Sequence, residues 1–189
     1  MDTVTALVGE RAAELALVQA EPGTEICREA RIPCSPMLSV RQNAAQFRIL
    51  LDRDKTVWLG ELLDASGLKK DGWNKRFRKD QPGRLRLWGI LTALLTRPKR
   101  VLAIEPMAGM TSADREALGR LIVLGMENGI EIRFTASRLQ DVIRLGIPCK
   151  VRFSAPNGWR DTDSRVLEAA YADAGPESGW DEIQKKWEA

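Results

Sequence analysis

The chain has 189 residues, 44% of them hydrophobic, enough for one domain with a substantial core and short for two. Charged residues make up 29% and the formal net charge is only +3, so the strongly basic footprint of a nucleic-acid binder is missing. No histidine occurs, which excludes Ser-His-Asp and Cys-His triads, histidine-ligated metals and imidazole acid–base chemistry.

Cys27, Cys34 and Cys149 are too scattered for a disulfide framework and form no CxxC pair, which fits a reducing cytoplasm and gives no zinc site. The start, Met1-Asp2-Thr3-Val4-Thr5, lacks the basic segment and apolar run of a signal peptide. No stretch approaches the roughly 18 apolar residues of a membrane span. Membrane contact, if any, is expected through a partner.

Val4 to Gly9 is a short β-rich apolar run ending in glycine, and Ala12 to Gln19 has the small and aliphatic residues of a helix. A turn at Glu21-Pro22-Gly23 precedes a possible short strand within Thr24 to Ile32. Val40, Ala44, Phe47 and Leu51 fall at helical spacing behind Ser39, an available N-cap. Leu59 to Leu68 reads as a second helix stopped by glycine, and the basic stretch Lys69 to Lys79 follows as a solvated loop or helix face. A helix is expected from Leu85 to Thr96, then a buried parallel strand at Val101 to Ile104. Ser112 with Glu116 reads as a capping-box start for a helix running to about Glu127, and Ile130 to Thr135 as the next strand. Beyond Pro156-Asn157-Gly158 two helical segments are expected, about Ser164 to Ala174 and Gly179 to Glu188. Trp180, Ile183 and Trp187 share one face of the second, for packing against the parent domain or for docking a partner.

In this order the segments resemble an ATP-binding cassette (ABC) domain across roughly residues 3 to 153, most closely the compact subunits of exporter systems. Val4 to Gly9 resembles the strand before the Walker A loop, Ser39-Val40-Arg41-Gln42-Asn43 the T-V-R-E-N helix start after the Q-loop, and Gly83 to Leu95 the signature helix. Thr92 to Ser137 covers Walker B, the D-loop, the following helix and the switch strand. The resemblance implies an α/β fold of the P-loop NTPase type: a mostly parallel sheet flanked by helices, with a small helical subdomain over roughly residues 39–96. Residues 1–153 would form the cassette domain and 154–189 a helical C-terminal extension. The antiparallel β-subdomain that the resemblance implies ahead of the first P-loop strand is expected to be missing or trimmed.

The nucleotide-binding positions implied by the resemblance are degraded. A P-loop wraps phosphate in backbone N–H groups at a helix N-terminus, neutralises it with lysine and holds Mg²⁺ with Ser/Thr. Here the slots read Gly9-Glu10-Arg11-Ala12-Ala13-Glu14-Leu15-Ala16-Leu17, with Leu15 in place of the lysine. The signature is Asp80-Gln81-Pro82-Gly83-Arg84, the Q-loop glutamine falls at Cys34, and Ile104 replaces the Walker B aspartate. Thr111 stands at the D-loop aspartate, and Ser137, or Ala136 under a one-residue shift, at the switch histidine. Glu105 alone keeps the identity of the water-polarising glutamate, either as residual chemistry or as a structural strand end.

The resemblance therefore implies a catalytically degenerate ABC subunit in an exporter-like complex, with an integral membrane subunit and a second, active ABC ATPase as partners. No cofactor is expected, and ATP with Mg²⁺ only through a partner. Trp58, Trp73, Arg76 and Phe77 are candidates for the membrane-subunit contact. The competing readings are an active ATPase that binds phosphate through Arg11 or Arg84, and a non-transport relative that binds nucleic acid.

Overall fold

The computed structural model describes residues 4–28, 33–35, 37–69, 73–77, 81–155, 158–167, 169 and 178–188. Its centre is a six-stranded sheet in the order β2-β3-β4-β1-β5-β6, with β1 Val4–Val8, β2 Thr24–Cys27, β3 Arg100–Ala103, β4 Glu131–Ala136, β5 Lys150–Ala155 and β6 Gly158–Asp163. All neighbours are parallel except β5 and β6, which form an antiparallel hairpin. The helices are α1 Ala12–Val18, α2 Val40–Leu50, α3 Arg53–Ala65, α4 Pro82–Leu95, α5 Ser112–Glu127, α6 Leu139–Arg144 and α7 Ser178–Glu188. This is the expected α/β architecture. The parallel strands are joined by helical crossovers, which carry β2 to the far edge of the sheet before β3 and β4 fill in toward β1.

The two faces of the sheet are covered unequally. α4, α5, α6 and α7 close one face over a large core that includes Trp58, Trp88, Phe134 and Phe153. α4 runs through the middle of this layer and is apolar almost all round, so Leu87 through Leu95 are all buried. Trp88 is fully buried between Phe47 and Phe77, with ring centroids at 5.8 and 5.6 Å, and its Nε1 donates to the Pro33 carbonyl at 2.9 Å. The other face carries α1 over a small apolar patch of Leu7, Ala12, Ala16 and Leu102.

Beyond that patch the α1 face is kept compatible with water by charge. Arg100 bridges Glu21 at 2.6 Å and Glu131 at 3.0 Å, and Arg133 bridges Glu131 at 2.6 Å. On β5 and β6, Arg152 pairs with Asp161 at 2.6 Å. Burial raises the Glu131 pKa, but hydrogen bonds from Arg133 and Arg100 outweigh it and hold the carboxyl below its ordinary range.

Several local expectations are corrected. The N-cap of α5 is Thr111, not Ser112, and its capping-box partner is Asp114, not Glu116; the Thr111 hydroxyl accepts from the Asp114 N–H at 3.2 Å. The second strand ends at Cys27, and residues 29–32 lie outside the described part. α3 starts earlier than expected, capped by Asp52, whose carboxylate accepts from the Lys55 N–H at 2.8 Å. β5, β6 and α6 are elements that the sequence reading did not identify. Residues 164–167 are helical, but most of the expected Ser164 to Ala174 segment lies outside the described residues.

α7 packs against the parent domain. Trp187 stacks on Phe153 with centroids at 5.8 Å, and Ile183 joins the main core. The Trp180 side chain lies outside the described part.

Candidate functional site

The C-terminal ends of β1, β3 and β4 lie side by side because β4 pairs with both of the others. This places Gly9, Glu105 and Ser137 at one edge of the sheet, the position where open α/β sheets bind ligands. β4 ties the group together: the Gly9 N–H donates to the Ala136 carbonyl at 3.1 Å. Ser137 donates its hydroxyl to Glu105 Oε1 at 3.1 Å and its N–H to Oε2 at 3.4 Å. Two residues singled out separately in the sequence thus form one pair.

Glu105 holds an unusual backbone, with φ at 46°. For a residue with a Cβ this conformation costs on the order of 1 kcal/mol, so its surroundings must enforce it. They do so from two sides. Its N–H donates to Thr135 Oγ1 at 2.9 Å, and its carbonyl accepts from Arg86 Nη1 at 2.7 Å. Thr135 is completely buried in β4, so that hydrogen bond is sheltered from competing water.

The segment 137–139 is also gripped from the C-terminal helix. Gln184 on α7 donates Nε2 to the Ser137 carbonyl at 3.1 Å, and its Oε1 accepts from the Leu139 N–H at 2.9 Å. Thr135, Arg86 and Gln184 are site residues that the sequence reading missed. A lone threonine in an apolar strand is a weak cue. Gln184 lies 45 and 47 positions from its partners and gives no cue at all.

The β1–α1 connection consists of Gly9, Glu10 and Arg11 only. Gly9 takes φ 127°, a conformation only glycine adopts readily, and α1 begins at Ala12, whose N–H donates to the Gly9 carbonyl at 3.1 Å. Leu15 lies inside the helix, and its N–H donates to the Arg11 carbonyl at 3.0 Å. Arg11, at the N-cap position, makes no capping hydrogen bond; its exposed side chain meets Glu14 at 3.5 Å. Ile104, which the sequence resemblance sets against the Walker B aspartate, packs on the apolar patch beneath α1.

Gln81 occupies the N-cap position of α4 without a capping hydrogen bond, followed by Pro82 as the first helical residue; Asp80 lies outside the described residues. Gly83 is buried against α5: a Cβ there would fall 2.5 Å from Asp114 Oδ2. Arg84 lines a cleft with Asp114, Glu116 and Arg120. Cys34 sits in a segment fastened by the buried Asn43, whose Oδ1 accepts from the Ser35 N–H at 2.8 Å and whose Nδ2 donates to the Ser35 carbonyl at 3.1 Å. Among the described residues no hydrogen bond joins Cys34 to Glu105 or Ser137. Burial pushes its thiol pKa up.

Two of the residues proposed for a membrane-subunit contact belong to the core. Trp58 is fully buried, with Nε1 donating to the Leu94 carbonyl at 3.0 Å, and Phe77 is buried against Trp88. Trp73 is partly buried, and Arg76 remains exposed. The cause is the chain path: the Arg41 and Val40 N–H groups bond to the Trp73 and Lys75 carbonyls, which lays 73–77 over the start of α2.

The overall fold recurs in solved ABC transporter cassettes. The structure superposes on an ATP-binding cassette of an ABC transporter in its ADP conformation with a TM-score of 0.65, at 15% identity over 91% of this chain and 85% of that one. The fold is that of an ATP-binding cassette. A second match is the dimeric structure of a bacterial ABC transporter cassette, with a TM-score of 0.61, 12% identity and coverage of 87% of each chain. No family model and no curated protein sequence matches the chain. At this identity the cassette fold is common to these proteins, while the residues at its ligand edge are this chain's own.

Proposed function

We propose that this chain is a cassette-fold subunit with an inactive nucleotide site, acting as a structural or regulatory partner in an exporter-like ABC transporter. The observation that carries the reading is the short β1–α1 connection. A phosphate cradle needs several consecutive backbone N–H groups free to point at one anion, with a lysine at its end. Here α1 starts three residues after β1, the Leu15 N–H is spent inside the helix, and a leucine side chain occupies the lysine slot.

Two further features support it. Ile104 puts an apolar side chain where a magnesium-anchoring aspartate would stand. Glu105, the one catalytic-type residue, has both carboxylate oxygens hydrogen-bonded to Ser137, which favours a structural role at the strand end. Both solved relatives are ABC transporter cassettes, and no helix among the described residues is long and apolar enough to cross a membrane. A cytoplasmic subunit held at the membrane through an integral partner, beside a second active ATPase, follows from that reading.

Copurification from native membranes tests it. The expected result is recovery of an integral membrane protein together with an intact ATPase cassette, and a complex whose ATP turnover is unchanged by Glu105→Gln here. Turnover that collapses with Glu105→Gln would instead make this chain an active ATPase.

A further inference from the structure

A groove of about 770 Å³ runs between α3, α5 and the segment 145–147. Its floor is apolar, from Ala65, Val123, Leu124, Leu145 and Ile147. The carboxylates of Glu61, Asp64, Glu116 and Glu127 stand around it, all exposed. On α5, Glu116, Arg120, Val123, Leu124 and Glu127 recur at three- and four-residue spacing, so one helix face presents apolar residues bracketed by acids.

Among the described residues this charge is neutralised only in part. Among the described residues Arg120 is the one cation lining the groove, and its Nε donates to the Ala65 carbonyl at 2.9 Å, where it caps the C-terminal end of α3. Lys69 meets Asp64 at 3.0 Å. Among the described residues Glu61, Glu116 and Glu127 take part in no ion pair. A chain with net charge +3 thus collects negative charge around an apolar trough flanked by two helices.

We propose that this groove binds an amphipathic helical segment of a partner protein, with apolar residues on the trough and lysine or arginine beside the rim carboxylates. Two flanking helices leave ridges into which a third helix packs, and complementary charge fixes its register. The proposal does not depend on the state of the nucleotide edge.

The test is a fluorescence-anisotropy titration of the whole chain with a labelled helical peptide of leucine and lysine, amphipathic at helical spacing. Binding is expected, weakening with added salt. The triple variant Glu61→Lys/Glu116→Lys/Glu127→Lys should bind about tenfold more weakly, while its circular dichroism and melting temperature match the parent. Val123→Asp should weaken binding through the floor. Glu10→Lys/Glu14→Lys, which reverses exposed acids in the β1–α1 turn and on α1, should leave it unchanged. Equal binding by the triple variant overturns the proposal, as does equal loss in the α1 control or equal binding of a leucine–glutamate peptide. A concentration-dependent dimer that the triple variant abolishes would also overturn it, by making a second copy the occupant.

Discussion

The Ser137 hydroxyl donates to the Glu105 carboxylate at 3.1 Å, joining residues 32 positions apart at the ends of two neighbouring strands. The pair rests on Thr135, whose buried hydroxyl accepts the Glu105 N–H. Thr135→Val keeps the shape and removes the acceptor, leaving a backbone donor without its partner. A loss of about 1–3 kcal/mol is expected from urea unfolding. Ser137→Ala, at an exposed site, should cost under about 1 kcal/mol.

Gly83, near the start of α4, has a packing role. A Cβ at Gly83 would meet Asp114, which is held in the α5 capping box by Thr111. Gly83→Ala should therefore destabilise the chain by about 1–3 kcal/mol through displacement of that cap. Gly60→Ala, in α3 with nothing within 4 Å of the added Cβ, should instead stabilise by up to about 1 kcal/mol. Thermal melts of the two variants should move in opposite directions.

The ion-pair network on the α1 face predicts an acid limb. The pKa of Glu131 is lowered in the folded state, so its contribution is complete above the ordinary carboxylate value of 4.5 and disappears as pH falls through the lowered one. Stability of the parent should fall from about pH 5 downward, and Glu131→Gln should flatten that fall. Urea midpoints against pH measure it; parallel curves for parent and variant would contradict the assignment.

Cys27 should be chemically silent. Burial first, then the Glu25 charge, push its thiol up to about 12 against a smaller opposing pull from Arg86, so almost no thiolate exists at neutral pH. Iodoacetamide should leave it unmodified in the folded chain and alkylate it in urea, as peptide mass mapping would show.

Strand and helix order was legible because short apolar runs alternating with helical periodicity leave few topologies open. β1, β3, β4 and the helices between them lie close to where periodicity placed them. β6 was hidden because Gly158-Trp159-Arg160-Asp161-Thr162-Asp163, at the edge of the sheet, carries polar residues on both faces, so it lacks the apolar run that marks a buried strand. The α5 cap was misplaced by one residue because Thr111 and Ser112 are both good caps, and only the reciprocal reach of Asp114 decides between them.

At the ligand edge, Glu105 and Ser137 were legible singly, through their places after β3 and β4. Their junction was not, since it depends on the positive φ of Glu105 and on Gln184 from α7. Trp58 and Phe77 were misread for a related reason. An aromatic side chain near a basic stretch suits an interface, but a groove lined by α4 takes both rings first.

Whether the edge formed by Gly9, Glu105 and Ser137 holds a triphosphate is decided by titrating a fluorescent ATP analogue with Mg²⁺ into the isolated full chain. The expected result is no saturable signal up to millimolar nucleotide, with or without Mg²⁺. Micromolar, Mg²⁺-dependent binding abolished by Arg11→Ala would contradict it and establish a phosphate site built on the β1–α1 turn.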